Sequence, residues 1–235
     1  MTTILALPLF FATLLSAFGG SFSPGEAFDV TAIRSIVIEG DASSIRITTD
    51  AAKPYEATTS GHRRGWFSSW YSSWFFNACK DESQIEVTGT VMTIRAAVSA
   101  WSDLGDCVPR VSANVPAGSA VQIEQQAFTA RLDGNFGSLR TSGRAADITL
   151  NGHASAVDIA GAAVRANLSY ASIGSNETVG ISAQALEADL DFGGEVDVDY
   201  TVTAKASLVD AMRPSVPGAR PQVKIQGDFV HARIR

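Results

Sequence analysis

From Gln126 to Phe192 the sequence keeps a nine-residue beat, and that beat limits the folds open to the chain. Blocks begin at Gln126, Asn135, Arg144, His153 and Ala162. Their fifth, seventh and ninth places read Ala130/Leu132/Gly134, Leu139/Thr141/Gly143, Ile148/Leu150/Gly152, Val157/Ile159/Gly161 and Ala166/Leu168/Tyr170. A longer block, residues 171–183, interrupts the count. Residues 184–192 then restore it with Ala188, Leu190 and Phe192. The fourth, sixth and eighth places are polar throughout, apart from Ala156 and Ala160. Side chains two residues apart share one face of a strand. The alternation therefore describes strands with one dry and one wet face. Glycine at the ninth place suits a turn, because it adopts positive φ without a steric penalty.

An all-β fold follows, in one of two architectures. In a single-domain β-solenoid, strands coil in one hand, two blocks make one rung and successive rungs stack in parallel. In an antiparallel β-sandwich or barrel, blocks fold back as hairpins at Asp133-Gly134 and Asn151-Gly152. Uniform block length favours the solenoid, since stacked rungs must align their side chains. A rung cannot cover its own edges, so neighbours must do so.

The remaining chain divides around this repeat. Residues 1–20 carry an apolar run, Ile4 to Phe18, too short for a comfortable membrane span and read as an export signal. Residues 28–60 are N-terminal strands forming a cap, with Ser35–Gly40 and Ser44–Thr48 as two strands around Gly40-Asp41. Residues 61–108 form an aromatic-rich segment closed by a disulfide. Residues 109–235 are the repeat region, in the same domain as 28–60. Smaller expectations are a hairpin of Ile85–Val87 with Val91–Arg95, a turn at Pro116–Ser119, and a strand through Val196, Val198 and Tyr200. Ala204–Met212 fits helix or strand. A last hairpin joins Val223–Ile225 to Val230–Ile234.

The aromatic segment departs most from the pattern. Trp66, Trp70 and Trp74 recur every four residues, with Phe67, Tyr71, Phe75 and Phe76 beside them and Arg63 and Arg64 just before. At helical spacing these make one broad aromatic face. Such a face either folds over the β core or forms a binding surface for a bilayer interface, a sugar or a protein. Cys79 and Cys107 are the only cysteines. In an exported chain an isolated pair reads as a disulfide.

Several functions lose support. The net charge of −6 argues against a nucleic-acid partner. His62, His153 and His231 lie outside any nucleophile, zinc or phosphate-loop motif, so no catalytic residue, cofactor or metal site is expected. Asp147 and Asp158 lack the paired glycines of calcium-binding nonapeptides. Asp189, Asp191, Asp197 and Asp199 read as a solvated acidic ladder. An alternative, a polysaccharide-active β-helix enzyme, requires Arg131, Arg140, Asp147, Asp158 and Arg165 on one outer face.

An export signal followed by short strands, carried by Ser35–Thr48 (SIVIEGDASSIRIT) and Phe128–Ile159, resembles the bacterial exported β-strand-repeat proteins with adhesin or autotransporter-adhesin-head-like domains. The resemblance implies a right-handed β-solenoid with no enzymatic activity and no catalytic residues to carry over. The expected function is thus a non-enzymatic envelope or surface binding module, periplasmic or extracellular, with an envelope, glycan, membrane or protein ligand. A second alternative is a membrane-associated accessory protein acting through the tryptophan-rich segment.

Overall fold

The computed structural model describes residues 25–63, 79–99, 107–193 and 195–235, with only the backbone of Arg63. The expected export signal and the candidate surface residues Arg64, Trp66, Phe67, Trp70, Tyr71, Trp74, Phe75 and Phe76 lie outside the described residues.

Among the described residues the chain is all-β. Its strands are β1 (Phe28–Asp29), β2 (Ser35–Thr48), β3 (Glu56–Arg63), β4 (Lys80–Asp81), β5 (Gln84–Thr88) and β6 (Val91–Ala96). They continue with β7 (Val98–Ser99), β8 (Cys107–Asn114), β9 (Ala120–Tyr170), β10 (Thr178–Asp191), β11 (Asp199–Ala211) and β12 (Gln222–Ile234). The main sheet runs β1-β3-β8-β2-β9-β10-β12-β11. From β2 onward the path is parallel: β2 with β9, β9 with β10, β10 with β12 and β12 with β11. Antiparallel pairing is confined to β1–β3, β3–β8, β4–β7 and the expected hairpin β5–β6.

The register explains the beat. Val157 lies beside Val179, Ile159 beside Ile181 and Leu190 beside Ile234, so aliphatics abut aliphatics across the stack. Within β9, the Asn151 amide donates to Asp133 across a separation of 18 residues. The Gly137 N–H donates to the carbonyl of Ser119 at 3.0 Å, the same step. Two blocks therefore bring the chain back beside itself. Parallel neighbours cannot be joined by a two-residue turn. Asp133-Gly134 and Asn151-Gly152 are accordingly not hairpin turns: β9 runs through both, and Gly152 lies against Gly134. The inward fifth and seventh places are buried in every block, and the outward ones are exposed or half-exposed.

Alternate blocks nonetheless differ. The ladder skips one residue at Asp41/Gln126, Ala162/Gln184 and Lys205/Asp228. Burial changes parity there, from Val157 and Ile159 to Val164, Ala166 and Leu168. An extra residue that reverses which face is inward marks a corner. The true unit is thus the pair of blocks, with a corner built differently in each half. The interrupting block is absorbed by a loop over residues 171–177, after which the step widens to 22, as between Arg165 and Glu187.

Three expectations change. Ser35–Thr48 is one strand that bends at Gly40 (φ 132°), its first half pairing with β6 and its second with β8. The strand expected through Val196, Val198 and Tyr200 begins only at Asp199, as β11, and the segment open between helix and strand is strand from Ala204 to Ala211, with Met212 just beyond. Val223–Ile225 and Val230–Ile234 are not a hairpin: they are one strand, β12, inserted in parallel between β10 and β11. Gly227 sits at the corner, close against the carbonyl of Ala183, and does not reverse the chain.

Candidate functional site

The parity change creates a surface feature. Just beyond the corner, each rung places an exposed alanine on its outer side: Ala127, Ala145 and Ala163 on β9, Ala185 on β10 and Ala206 on β11. Ala42 on β2 begins the file beside Ala127, and Phe229 on β12 interrupts it between Ala185 and Ala206. Stacked small side chains leave a groove of about 870 Å³ along this flank. The buried Phe128, Val164, Leu186 and Val230 form its apolar wall. Leu208 and Phe229 project into it, 64% and 67% exposed, an unusual cost for large apolar side chains. Asp147, Arg165, Glu187 and His231 form a polar rim, and Val108 closes one end. On that rim Arg165 donates to Glu187, with contacts of 2.8 and 2.9 Å. The Glu187 carboxylate holds the guanidinium firmly protonated, with Asp147 adding to it.

The disulfide is formed. Cys79 and Cys107 lie 5.6 Å apart at Cα. Cys107 starts β8, pairs with Arg63 at the end of β3 and precedes Val108 in the groove. The two chain ends that bound residues 64–78 therefore meet at one end of the groove.

A second cluster lies at the 171–177 loop. Glu177 is 3% exposed; one carboxylate oxygen accepts the N–H of Gly174 and the other is buried without a partner. His153 Nδ1 lies 3.1 Å from the carbonyl of Ser172, so that nitrogen carries the proton and donates. Its Nε2 is 3.8 Å from Glu177. Tyr170 stacks edge-on to His153 and tilted against Phe192, at 6.1 and 5.1 Å. Its hydroxyl is buried without a partner. Burial, with the Glu177 charge, pushes the phenol well above its ordinary pKa. These contacts pin the loop where the repeat is interrupted.

The five residues of the enzyme alternative are split. Arg131 pairs with Asp133, and Arg140 with Asp158 beside Ser35 and Gln122. Asp147 and Arg165 sit on the groove rim. The acidic ladder is also engaged: Asp189 with Arg233 and Arg235, Asp191 with the Gly193 N–H, Asp197 with Arg213, and Asp199 with the Gly218 N–H. Among the described residues no group of three His, Cys, Asp or Glu side chains could hold a metal ion.

Sequence reasoning missed the groove. Its signal was present, as alanine in the second place of every other block, but a small residue on an outward position gives no amphipathic contrast.

Comparison with known proteins finds distant likenesses. A protein described as a "putative cell adhesion protein" from Clostridium sporogenes matches at 11% identity and a TM-score of 0.38, over 92% of this chain and 97% of that one. A "putative adhesin" from Bacteroides fragilis matches at 10% identity and 0.42, over 88% and 94%. Another, from Parabacteroides distasonis, matches at 12% and 0.34, over 92% and 98%. No family model matches the chain, and no curated protein does.

Proposed function

We propose that the chain is an exported, non-enzymatic, right-handed β-solenoid that serves as an adhesin-like binding module of the envelope or cell surface. What supports the architecture is the parallel register from β2 to β11 and the 18-residue return within β9. What supports export is the formed Cys79–Cys107 bridge, since such bonds persist in oxidising compartments. The observation that carries the binding role is the convergence on one flank of the exposed apolar groove and the tethered ends of the tryptophan-rich segment. The contact surface in this reading is that flank, with Arg63, Arg64, Trp66, Phe67, Trp70, Tyr71, Trp74, Phe75 and Phe76 contributing. Exposed apolar surface rimmed by charge is the ordinary mark of an interaction site.

The test is cosedimentation of the purified protein, without residues 1–20, against anionic liposomes, polysaccharide and cell-wall preparations. Binding to one of these, lost in a Trp66/Trp70/Trp74→Ser variant that melts normally, is the expected result. Binding to none of the three removes the proposal.

A further inference from the structure

We infer that the bare edge of β11 pairs with the same edge of a second copy, as antiparallel strands about a two-fold axis at the corner between Lys205 and Ala206. This goes beyond the proposed function and rests only on the parallel register of the strands. Among the described residues β11 is the last strand of the main sheet, paired with β12 alone. Its start is covered by its own loop. The Ser215 hydroxyl accepts the Tyr200 N–H at 2.8 Å and donates to the Tyr200 carbonyl at 3.0 Å, and the Val216 N–H donates to the carbonyl of Val198. Beyond Tyr200 the edge is bare, and its inward side chains show the missing neighbour. Val202 is half-buried and Val209 is 37% exposed, whereas their partners on β12, Ile225 and Ala232, are fully buried. Six large apolar side chains are exposed among the described residues. Five of them, Leu208, Val209, Met212, Val216 and Phe229, belong to β11, β12 and the loop between them. Exposed apolar surface gathered at one end of a molecule marks an interaction site.

The hydrogen-bonding parity of β11 makes a copy the fitting occupant. The Asp199 N–H donates to the carbonyl of Pro221 and the Met212 N–H to that of Ile234. Odd residues therefore face β12 before the corner and even residues after it, because the ladder skips Lys205. In a parallel ladder the N–H and C=O of one residue point to the same neighbour. The free groups are then those of Val202 and Ala204 in one arm and of Ser207, Val209 and Ala211 in the other, and all five are inward positions. Turning a copy about the corner sets Val202 against Val209 and Ala204 against Ser207. Donors meet acceptors, and inward faces meet inward faces. Between these pairs Thr203 meets Leu208 as a non-hydrogen-bonded pair. An unrelated strand would not carry the parity change that the skipped residue gives β11. Charge agrees: Asp210 comes opposite Thr201 of the copy, beside Lys224, which is exposed and unpaired among the described residues. Each Lys205 near the axis keeps its own Asp228 at 2.9 Å. The same patch serves on both copies, so the contact closes as a dimer. Residues 201–210 span about 33 Å and a sheet is about 10 Å deep, a few hundred Å² per copy, which is the size of a weak, reversible association. The outer flank of β9 and β10 stays open, so the groove remains accessible in the dimer.

Sedimentation equilibrium of the full chain tests this, and the expected result is a monomer–dimer equilibrium with a dissociation constant in roughly the micromolar range. Val202→Pro and Val209→Pro each remove a free-edge donor and no ladder bond, a place where strands tolerate proline. Each should weaken association at least about tenfold, because symmetry deletes the bond twice, with an unchanged circular-dichroism spectrum. Ala185→Glu, in the groove on β10, should leave the equilibrium as it is. A second measurement does without the prolines. Thr203→Cys with Leu208→Cys should give a covalent dimer on mild oxidation, since facing residues of antiparallel strands lie within disulfide range and the native cysteines are already bonded. Thr201→Cys with Leu208→Cys, out of register, should not. A parent that stays monomeric at every concentration overturns the inference, as does a dimer that survives both prolines. Loss of the dimer in Ala185→Glu would place the contact in the groove and overturn it too, and so would cross-linking of the out-of-register pair alone.

Discussion

Gly152 shows how tightly single residues are constrained by the stack. Its φ is 135°, and a Cβ there would run into the carbonyl oxygen of Gly134 one rung away. Gly89, at φ 62°, faces open space in the β5–β6 turn. Gly152→Ala should therefore cost about 3 kcal/mol or more, backbone strain adding to a clash with main chain. Gly89→Ala should cost about 1 kcal/mol. Urea denaturation of the two variants measures the difference, and equal midpoints would contradict the close approach of the rungs. Tyr170 makes the converse case, a polar atom without a partner. Its phenol keeps its proton in the folded state after the unfolded chain has lost it near pH 10. The unfolded state then binds fewer protons, so stability present below that pH is lost as the pH rises beyond it. Tyr170→Phe should be neutral or stabilising by up to about 1 kcal/mol at pH 7 and should remove this alkaline loss. Thermal melts at pH 7 and 10.5 decide it; an unchanged alkaline slope in the variant would show that Tyr170 is not its source.

At the scale of elements, the strands were legible where their two faces differ. Leu132, Ile148 and Ile159 are buried and Arg131, Arg140 and Asp158 exposed because period-two alternation and burial are the same fact seen twice. The order of the last rungs was not legible. Val223, Ile225, Val230, Ala232 and Ile234 present the same inward profile as Val179, Ile181, Leu186, Ala188 and Leu190. Either strand fits either slot, so local pattern does not say that β12 enters between β10 and β11. The groove escaped for the reason that hides any outward alanine: it is neither polar nor large. The disulfide was legible from count alone, and it joins two elements, β8 and the end of the 64–78 segment. Closing the loop from Cys79 to Cys107, a separation of 28, is worth about 3.6 kcal/mol in the chain-entropy description. Cys79→Ser with Cys107→Ser should lower the urea unfolding free energy by about that much, and an unchanged free energy would mean the bridge leaves the unfolded chain unconstrained.

For the whole molecule, one hydrophobic cluster holds the described strands together. Residues from Ile36 on β2 to Ile234 on β12 belong to that cluster, and inward aliphatics of neighbouring parallel strands lie side by side in it. Long parallel pairings join residues distant in sequence, so the molecule should fold slowly for its size. The stack also explains where activity can reside. Its interior is mostly aliphatic, with aromatics such as Phe136 and Phe192 among them, and the wet face carries the ion pairs and the alanine flank. The central claim, that successive blocks lie side by side in parallel and in register, has a direct test in paired cysteines. In a Cys79/Cys107→Ser background, Ala160→Cys with Ser182→Cys places two outward thiols on facing residues of β9 and β10. Parallel neighbours about 4.8 Å apart are within disulfide range. Mild oxidation should cross-link this pair and not Ala160→Cys with Gln184→Cys, which is out of register. Cross-linking of the second pair with none in the first would contradict the stacked arrangement.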